Sequence, residues 1–110
     1  FYIIVGNSDD HFRNHGFLLT RKGWELSPAY DINPTLSDNQ SLLINRSTSE
    51  SNLNILLASA GEYMLSTEKA NRIITDVKTT MKSWRTEARR LGLLQRDIDM
   101  FAPRFDTRLF

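Results

Sequence analysis

The clearest periodicity in the chain runs from Ala70 to Leu91. Ala70, Ile74, Val77, Met81, Trp84, Ala88 and Leu91 recur at alternating steps of four and three, which lays one apolar stripe along a helix. Ser66 precedes the stripe as an N-cap, and Glu68 falls in the first turn, where the helix dipole favours it. Arg89 and Arg90 fall in the last turn, and Gly92 stops the element. The spacing therefore predicts one continuous helix from Ser66 to Leu91, its stripe packed as core. Upstream, Asn52 or Asn54 caps a shorter helix through Ile55, Leu56 and Leu57 to about Met64. Downstream, a further short helix is expected from Leu94 to Phe101, ended by Pro103.

The first half of the chain has a different rhythm. Phe1 to Val5 is wholly apolar and reads as the end of a buried helix or strand running into a polar loop. It carries no methionine and no cap, so the expectation is a fragment of a longer polypeptide. Left uncovered, this run would be a sticky patch that favours self-association. Phe17–Thr20 and Trp24–Leu26 are short aromatic-rich runs on either side of Arg21-Lys22-Gly23. A three-residue connection with Gly last suits a hairpin with a left-handed bulge position. Ser27-Pro28 ends the second strand, because Pro cannot donate to a ladder. Residues 33–52, rich in Asn, Ser, Thr, Asp and Pro, predict a long loop, a kind of segment that is often functional or mobile. Trp24 and Trp84 are expected to anchor the core. The pattern as a whole predicts an α+β chain, mostly α, with one small hairpin.

Composition narrows the function classes. The chain has 110 residues, about one domain's worth. Its 40% apolar and 25% charged residues suit an ordinary globular protein, and its net charge of +1 offers no basic surface for nucleic acid or membrane. Without cysteine, neither a disulfide framework nor a thiolate metal site can form. No apolar run approaches the roughly 20 residues of a membrane span, and Phe1–Val5 lacks the flanks of a signal peptide. Glycosylation-like triplets at Asn39 and Asn45 carry little weight. A cytoplasmic protein is the default expectation.

The chemistry concentrates in Gly6-Asn7-Ser8-Asp9-Asp10-His11-Phe12-Arg13-Asn14 and in Ser27-Pro28-Ala29-Tyr30-Asp31. A hairpin reverses direction, and Asn14 and Asp31 lie about equally far from its turn, so they should meet at the open end. The loop holding Asp9 enters at that end. One carboxylate and two hard-oxygen metal ligands can then converge, a set suited to phosphoryl transfer, since Mg²⁺ takes one or two protein ligands and completes its shell with phosphate and water. Asp10 is the second choice for the base and reads more readily as a surface or capping residue. His11 and His15 have i, i+4 spacing that could hold Zn²⁺ on a helix, but Gly6, Asn7 and Gly16 argue for a loop with no third ligand. Arg85, Arg89 and Arg90 could form a basic face, although a solvated helix end complementing its dipole is the commoner arrangement.

These two coupled motifs resemble the C-terminal, catalytic part of HipA-type serine/threonine kinases, the toxin halves of bacterial toxin–antitoxin pairs and their relatives. The family pattern is Asp-x-His-x-Lys-Asn followed by Tyr-Asp where other kinases carry Asp-Phe-Gly. It falls on Asp9, His11, Asn14 and Tyr30-Asp31, with Arg13 in place of the Lys. The resemblance covers residues 6–34 closely and implies roles. Asp9 would orient or deprotonate the acceptor hydroxyl, Asn14 and Asp31 would hold Mg²⁺, and His11 and Arg13 would position phosphate or substrate. For His11 a structural hydrogen bond within the loop is the alternative.

On this reading the chain is the helical lobe of a protein-kinase-like fold. Residues 1–34 carry the catalytic loop, hairpin and metal-binding Asp, 35–52 the loop, and 53–110 a helical subdomain. The resemblance further implies ATP as substrate, a protein linked to translation as acceptor, and a HipB-like DNA-binding antitoxin as partner. Direct contact with nucleic acid is not expected of this chain. Residues 1–110 hold neither a glycine-rich loop nor a Lys–Glu pair to grip ATP. Alone they are expected to be inactive, the missing lobe being supplied from elsewhere. A non-catalytic pseudokinase or interaction module, a metal-dependent hydrolase and a purely structural helical domain are the competing readings.

Overall fold

The computed structural model describes residues 1–35 and 37–109; Leu36, within the expected loop, and Phe110, at the end of the expected helical part, lie outside the described residues. In chain order the elements are α1 (Tyr2–Val5), a 3-10 turn (Phe12–Asn14), β1 (Phe17–Thr20), β2 (Gly23–Leu26), α2 (Leu53–Ala58), a second 3-10 turn (Ala60–Tyr63), α3 (Thr67–Met81), α4 (Trp84–Arg90) and α5 (Gln95–Leu109). The described residues are mostly helical, with one antiparallel hairpin, in agreement with the α+β, mostly α expectation.

The apolar opening folds as α1, ended by Gly6 in the left-handed region (φ 72°). Ile3, Ile4 and Val5 are buried. The cover comes from the other end of the chain, because α1 packs on α5 and Arg108 Nη1 donates to the Ile3 carbonyl at 2.6 Å. The sticky patch expected at Phe1–Val5 is thus sealed internally, apart from Phe1. Ile4 and Ile98, each 1% exposed, are the best-buried apolar side chains, and such burial contributes about 1.5–3 kcal/mol apiece.

The helix expected from Ser66 to Leu91 is broken in two. Ser66 caps α3 as read, accepting from Lys69 N–H at 3.2 Å. The break follows Met81, where no Pro or Gly intervenes. Thr80 donates its hydroxyl to the Asp76 carbonyl at 2.9 Å, and Ser83 donates to the Thr80 carbonyl at 3.0 Å. Hydroxyls bonded back into the preceding turn compete with the helical ladder and bend it. Gly92 ends α4 as expected (φ 82°). The Leu93 and Gly92 amides bond to the Ala88 and Arg89 carbonyls in a Schellman arrangement. The stripe is half-buried or buried from Ala70 to Ala88, but Leu91 is exposed.

Pro103 does not end the last helix; it lies inside α5. Tertiary contacts outweigh the hydrogen bond it forfeits. Trp84 packs edge-on against Phe105 (4.8 Å between centroids), and Arg85 binds Asp106 with both guanidinium nitrogens, Nη1 to Oδ1 at 2.9 Å. Arg85 pairs with Asp106 and Arg90 with Glu87, while Arg89 reaches the neutral Gln95; Arg89 and Arg90 stay exposed at the helix end.

The hairpin pairs Phe17 with Leu26, Leu18 with Glu25, Leu19 with Trp24 and Thr20 with Gly23. The turn is therefore two residues, Arg21-Lys22, rather than three. Gly23 keeps the left-handed backbone expected of it (φ 112°) but sits in the strand. Lys22 N–H donates to the Thr20 hydroxyl and that hydroxyl donates to the Gly23 carbonyl, which closes the reversal locally. Phe17, Leu19, Trp24 and Leu26 share one face. All four are exposed, Trp24 at 70%, so Trp24 is not the core anchor the sequence suggests. Trp84 is. With so much apolar surface outside, the radius of gyration of 15.4 Å exceeds the roughly 13 Å of a compact chain this long.

Candidate functional site

The Asp9–Asn14 segment is shaped by its own short polar side chains. Asn7 Oδ1 accepts the Asp9 N–H at 3.0 Å, a two-residue Asx turn. Phe12–Asn14 then makes a single 3-10 turn, which brings Asn14 back under the loop. Asn14 is buried, and its Nδ2 donates to the Asp9 carbonyl at 2.9 Å. That bond fixes the amide orientation and leaves Oδ1 as the oxygen available for a further partner. Asp9 itself presents its carboxylate to solvent.

Asp31 arrives from the other arm of the hairpin. Ser27 N–H bonds to the Gly16 carbonyl at 2.8 Å. One step further out, the Tyr30 hydroxyl donates to the Arg13 carbonyl at 2.7 Å. The two arms thus stay side by side to the open end. Asp31 adopts φ 55°, a left-handed conformation that Asp tolerates. Its Oδ1 accepts from Asn33 Nδ2 at 2.8 Å, while its carbonyl accepts from Asn7 Nδ2 at 3.1 Å. An unbroken hydrogen-bonded path therefore runs from Asn14 through Asp9 and Asn7 to Asp31, and the three residues singled out in the sequence belong to one cluster.

The joint is reinforced beyond them. Thr35 N–H bonds to the Gly6 carbonyl at 2.7 Å, and Ser8 N–H bonds to the Thr35 hydroxyl at 3.0 Å. The Ser8 and Thr35 hydroxyls also bond to each other. Asp10, far from being a surface residue, is buried. It accepts from Ser41 N–H at 3.1 Å, and Ser41 Oγ returns a bond to the Ser8 carbonyl at 2.8 Å. The long loop is thereby tied to the Asp9–Asn14 segment. It is held internally by an Asn39–Glu50 bridge and by buried Gln40 and Ile44. Asn7, Ser8, Thr35 and Ser41 escaped sequence reasoning because small polar residues are common in any loop. The hint was a run, Gly6-Asn7-Ser8, in which backbone and side chain compete for the same hydrogen bonds.

The two histidines diverge in role. His11 Nε2 stands 3.8 Å from Asp9 Oδ1, beyond hydrogen-bond length, and its Nδ1 is buried with no partner among the described residues. His15 meets the Tyr2 ring edge-on at 5.7 Å. Among the described residues no group of three or more His, Cys, Asp or Glu side chains is placed to hold a metal. Arg13 is exposed, and its backbone carbonyl accepts the Tyr30 hydroxyl. Beside Asn14 opens a cavity of about 450 Å³ walled by Tyr2, Leu26, Pro28 and Ile32, within the size range of small-ligand sites. A smaller apolar cavity between α2 and α3, about 180 Å³, has Tyr63 as its one titratable wall residue and is a packing gap.

Comparison with known families bears on this cluster directly. A family model, the HipA-like C-terminal domain, matches residues 1–84, three-quarters of the chain. The chain belongs to the HipA-like C-terminal domain family. The matched stretch includes the whole hydrogen-bonded cluster, the hairpin, the long loop, α2 and α3. No curated protein and no solved structure matches the chain. Among the described residues no helix is long and apolar enough to cross a membrane.

Proposed function

We propose that this HipA-like domain is the helical catalytic lobe of a cytoplasmic serine/threonine protein kinase, transferring the γ-phosphoryl group of ATP to a protein hydroxyl. Residues 1–34 carry the chemistry, 35–52 brace it and 53–110 form the helical support. The observation that carries the reading is the path Asn14–Asp9–Asn7–Asp31. It gathers the three residues while leaving free the groups that phosphoryl transfer requires: the Asp9 carboxylate, Asn14 Oδ1 and the second oxygen of Asp31. Asn14 and Asp31 offer hard oxygens of the kind Mg²⁺ accepts when phosphate fills the rest of its shell, so the donor set fits that ion. When bound, Mg²⁺ neutralises charge on the terminal phosphates.

The residues divide the remaining work. The Asp9 carboxylate takes the proton of the acceptor hydroxyl as its oxygen bonds to the γ-phosphorus, and the bond from that phosphorus to the bridging oxygen of ADP breaks. Arg13, exposed beside the cluster, and His11, next to Asp9, position phosphate or substrate. By family resemblance, the polypeptide works as the toxin of a toxin–antitoxin pair, with a HipB-like DNA-binding antitoxin as partner and a further lobe to grip ATP. The exposed apolar face of the hairpin supports a second reading, an interaction module that keeps the motifs without turnover.

The test is phosphate transfer from ATP by the full polypeptide. Asp9→Asn should lower the rate by about 10²–10⁴-fold with nucleotide binding intact. Transfer at the unmodified rate would refute the assignment. Tight partner binding that is indifferent to Asp9→Ala, with no transfer at all, would favour the interaction module. Residues 1–110 alone should show no turnover above an Asp9→Ala control.

A further inference from the structure

The side chain that joins the two halves of the cluster is Asn7, which is 1% exposed and the best-buried polar residue among those described. An amide offers one acceptor end and one donor end, and here both ends are committed to different motifs. Oδ1 accepts the Asp9 N–H at 3.0 Å, and Nδ2 donates to the Asp31 carbonyl at 3.1 Å, across 24 residues of sequence. At 1% exposure, neither end is open to a ligand arriving from solvent. Asp31 is the partner in greatest need of restraint, because it holds a left-handed backbone without being glycine (φ 55°). Among the described residues its one other side-chain tie, from Asn33, comes from two residues away and moves with it.

We propose that Asn7 is a positioning residue that sets the Asp31 carboxylate relative to Asp9, and that through it the cluster's affinity for a divalent cation is controlled. The inference rests on the reading of Asn14 and Asp31 as ligands of a divalent cation. Asn7 would do this without touching metal, nucleotide or acceptor. Its two bonds separate the tasks, since the acceptor end shapes the Asp9 turn and the donor end holds the Asp31 backbone. No other common side chain of this size supplies both. Aspartate keeps the acceptor but turns a second oxygen against the Asp31 carbonyl, and serine spans neither gap.

The experiment measures Mn²⁺ binding, by electron paramagnetic resonance, to the full polypeptide in the presence of ATP. Asn7→Asp, close to isosteric, should weaken Mn²⁺ by about 10–100-fold, the usual effect of losing a group that orients a metal ligand. The thermal midpoint checks that the variant is folded. Asn7→Ser provides a second variant and should weaken Mn²⁺ at least as much. A merely structural Asn7 would lower the midpoint without changing the affinity of the folded protein. A folded Asn7→Asp or Asn7→Ser with unaltered Mn²⁺ binding overturns the proposal. The two ideas fail separately: weakened Mn²⁺ in Asn7→Asp together with phosphate transfer that survives Asp9→Asn supports the anchor and overturns the assignment of Asp9.

Discussion

Replacing Gly6 with alanine perturbs the hinge between α1 and the Asp9–Asn14 segment, and the structure sets the size of the effect. Gly6 has φ 72°, and an added Cβ would lie 2.9 Å from Arg108 Nη1 and 3.1 Å from Arg104 Cδ. The left-handed backbone alone costs a non-glycine residue about 1–2 kcal/mol. The Arg108 head is flexible, but it is held at the Ile3 carbonyl by a 2.6 Å charged hydrogen bond. Moving it aside gives up about 1.5–3 kcal/mol if the bond is lost entirely, and less where water replaces it. Burial, with the nearby Arg104 charge, holds the Arg108 guanidinium below its usual range. The expected destabilisation is about 2–4 kcal/mol, read as a lower urea midpoint at unchanged slope. A double-mutant cycle with Arg108→Ala isolates the cause. In that background Gly6→Ala should cost only the backbone strain, about 1–2 kcal/mol. Equal cost in both backgrounds would refute the coupling, and a cost under about 0.5 kcal/mol, the size of a neutral surface change, would refute the strain as well.

Three further outcomes are expected. Asp10→Ala, which removes the buried carboxylate that accepts from the Ser41 and Leu42 amides, should destabilise by about 1–3 kcal/mol, whereas Asp9→Ala should leave the thermal midpoint nearly unchanged. Trp24→Ser, at an exposed position, should stay within about 0.5 kcal/mol while Trp84→Ala costs about 3–5 kcal/mol; chemical denaturation distinguishes them. The Asp106 carboxyl is held below its usual range by the hydrogen bond from Arg85, assisted by that residue's charge. A carboxyl depressed in the folded state adds stability above its unfolded pKa and loses it as pH falls through the folded one. The stability gap between the unmodified protein and Asp106→Asn should therefore be full near neutrality and close in acid, below the ordinary aspartate range, as followed by thermal melts against pH.

What could be read in the chain was whatever local periodicity or turn chemistry decides. The Ser66 and Asn52 caps, the Gly92 stop, the hairpin and the long loop all follow from neighbours a few residues apart. The errors arise where distant partners decide. Pro103 is tolerated because Phe105 and Asp106 are held by Trp84 and Arg85. The helix breaks after Met81 through Thr80 and Ser83, whose hydroxyls could equally have faced water. Trp24 looks like core by type, yet nothing in the described chain covers its face. At the site, hairpin geometry was enough to bring Asn14 and Asp31 to the same end. It could not reveal Asn7 or the burial of Asp10, because those depend on which loop amides lack a partner after folding.

The family match stops at residue 84, yet the floor beneath α1 and Gly6 is supplied by residues 95–109. Arg108 grips the first turn from the far end of the sequence, so the molecule is closed like a hoop. A polypeptide trimmed to its recognisable stretch would keep every chemical group and lose the clasp that keeps them in register.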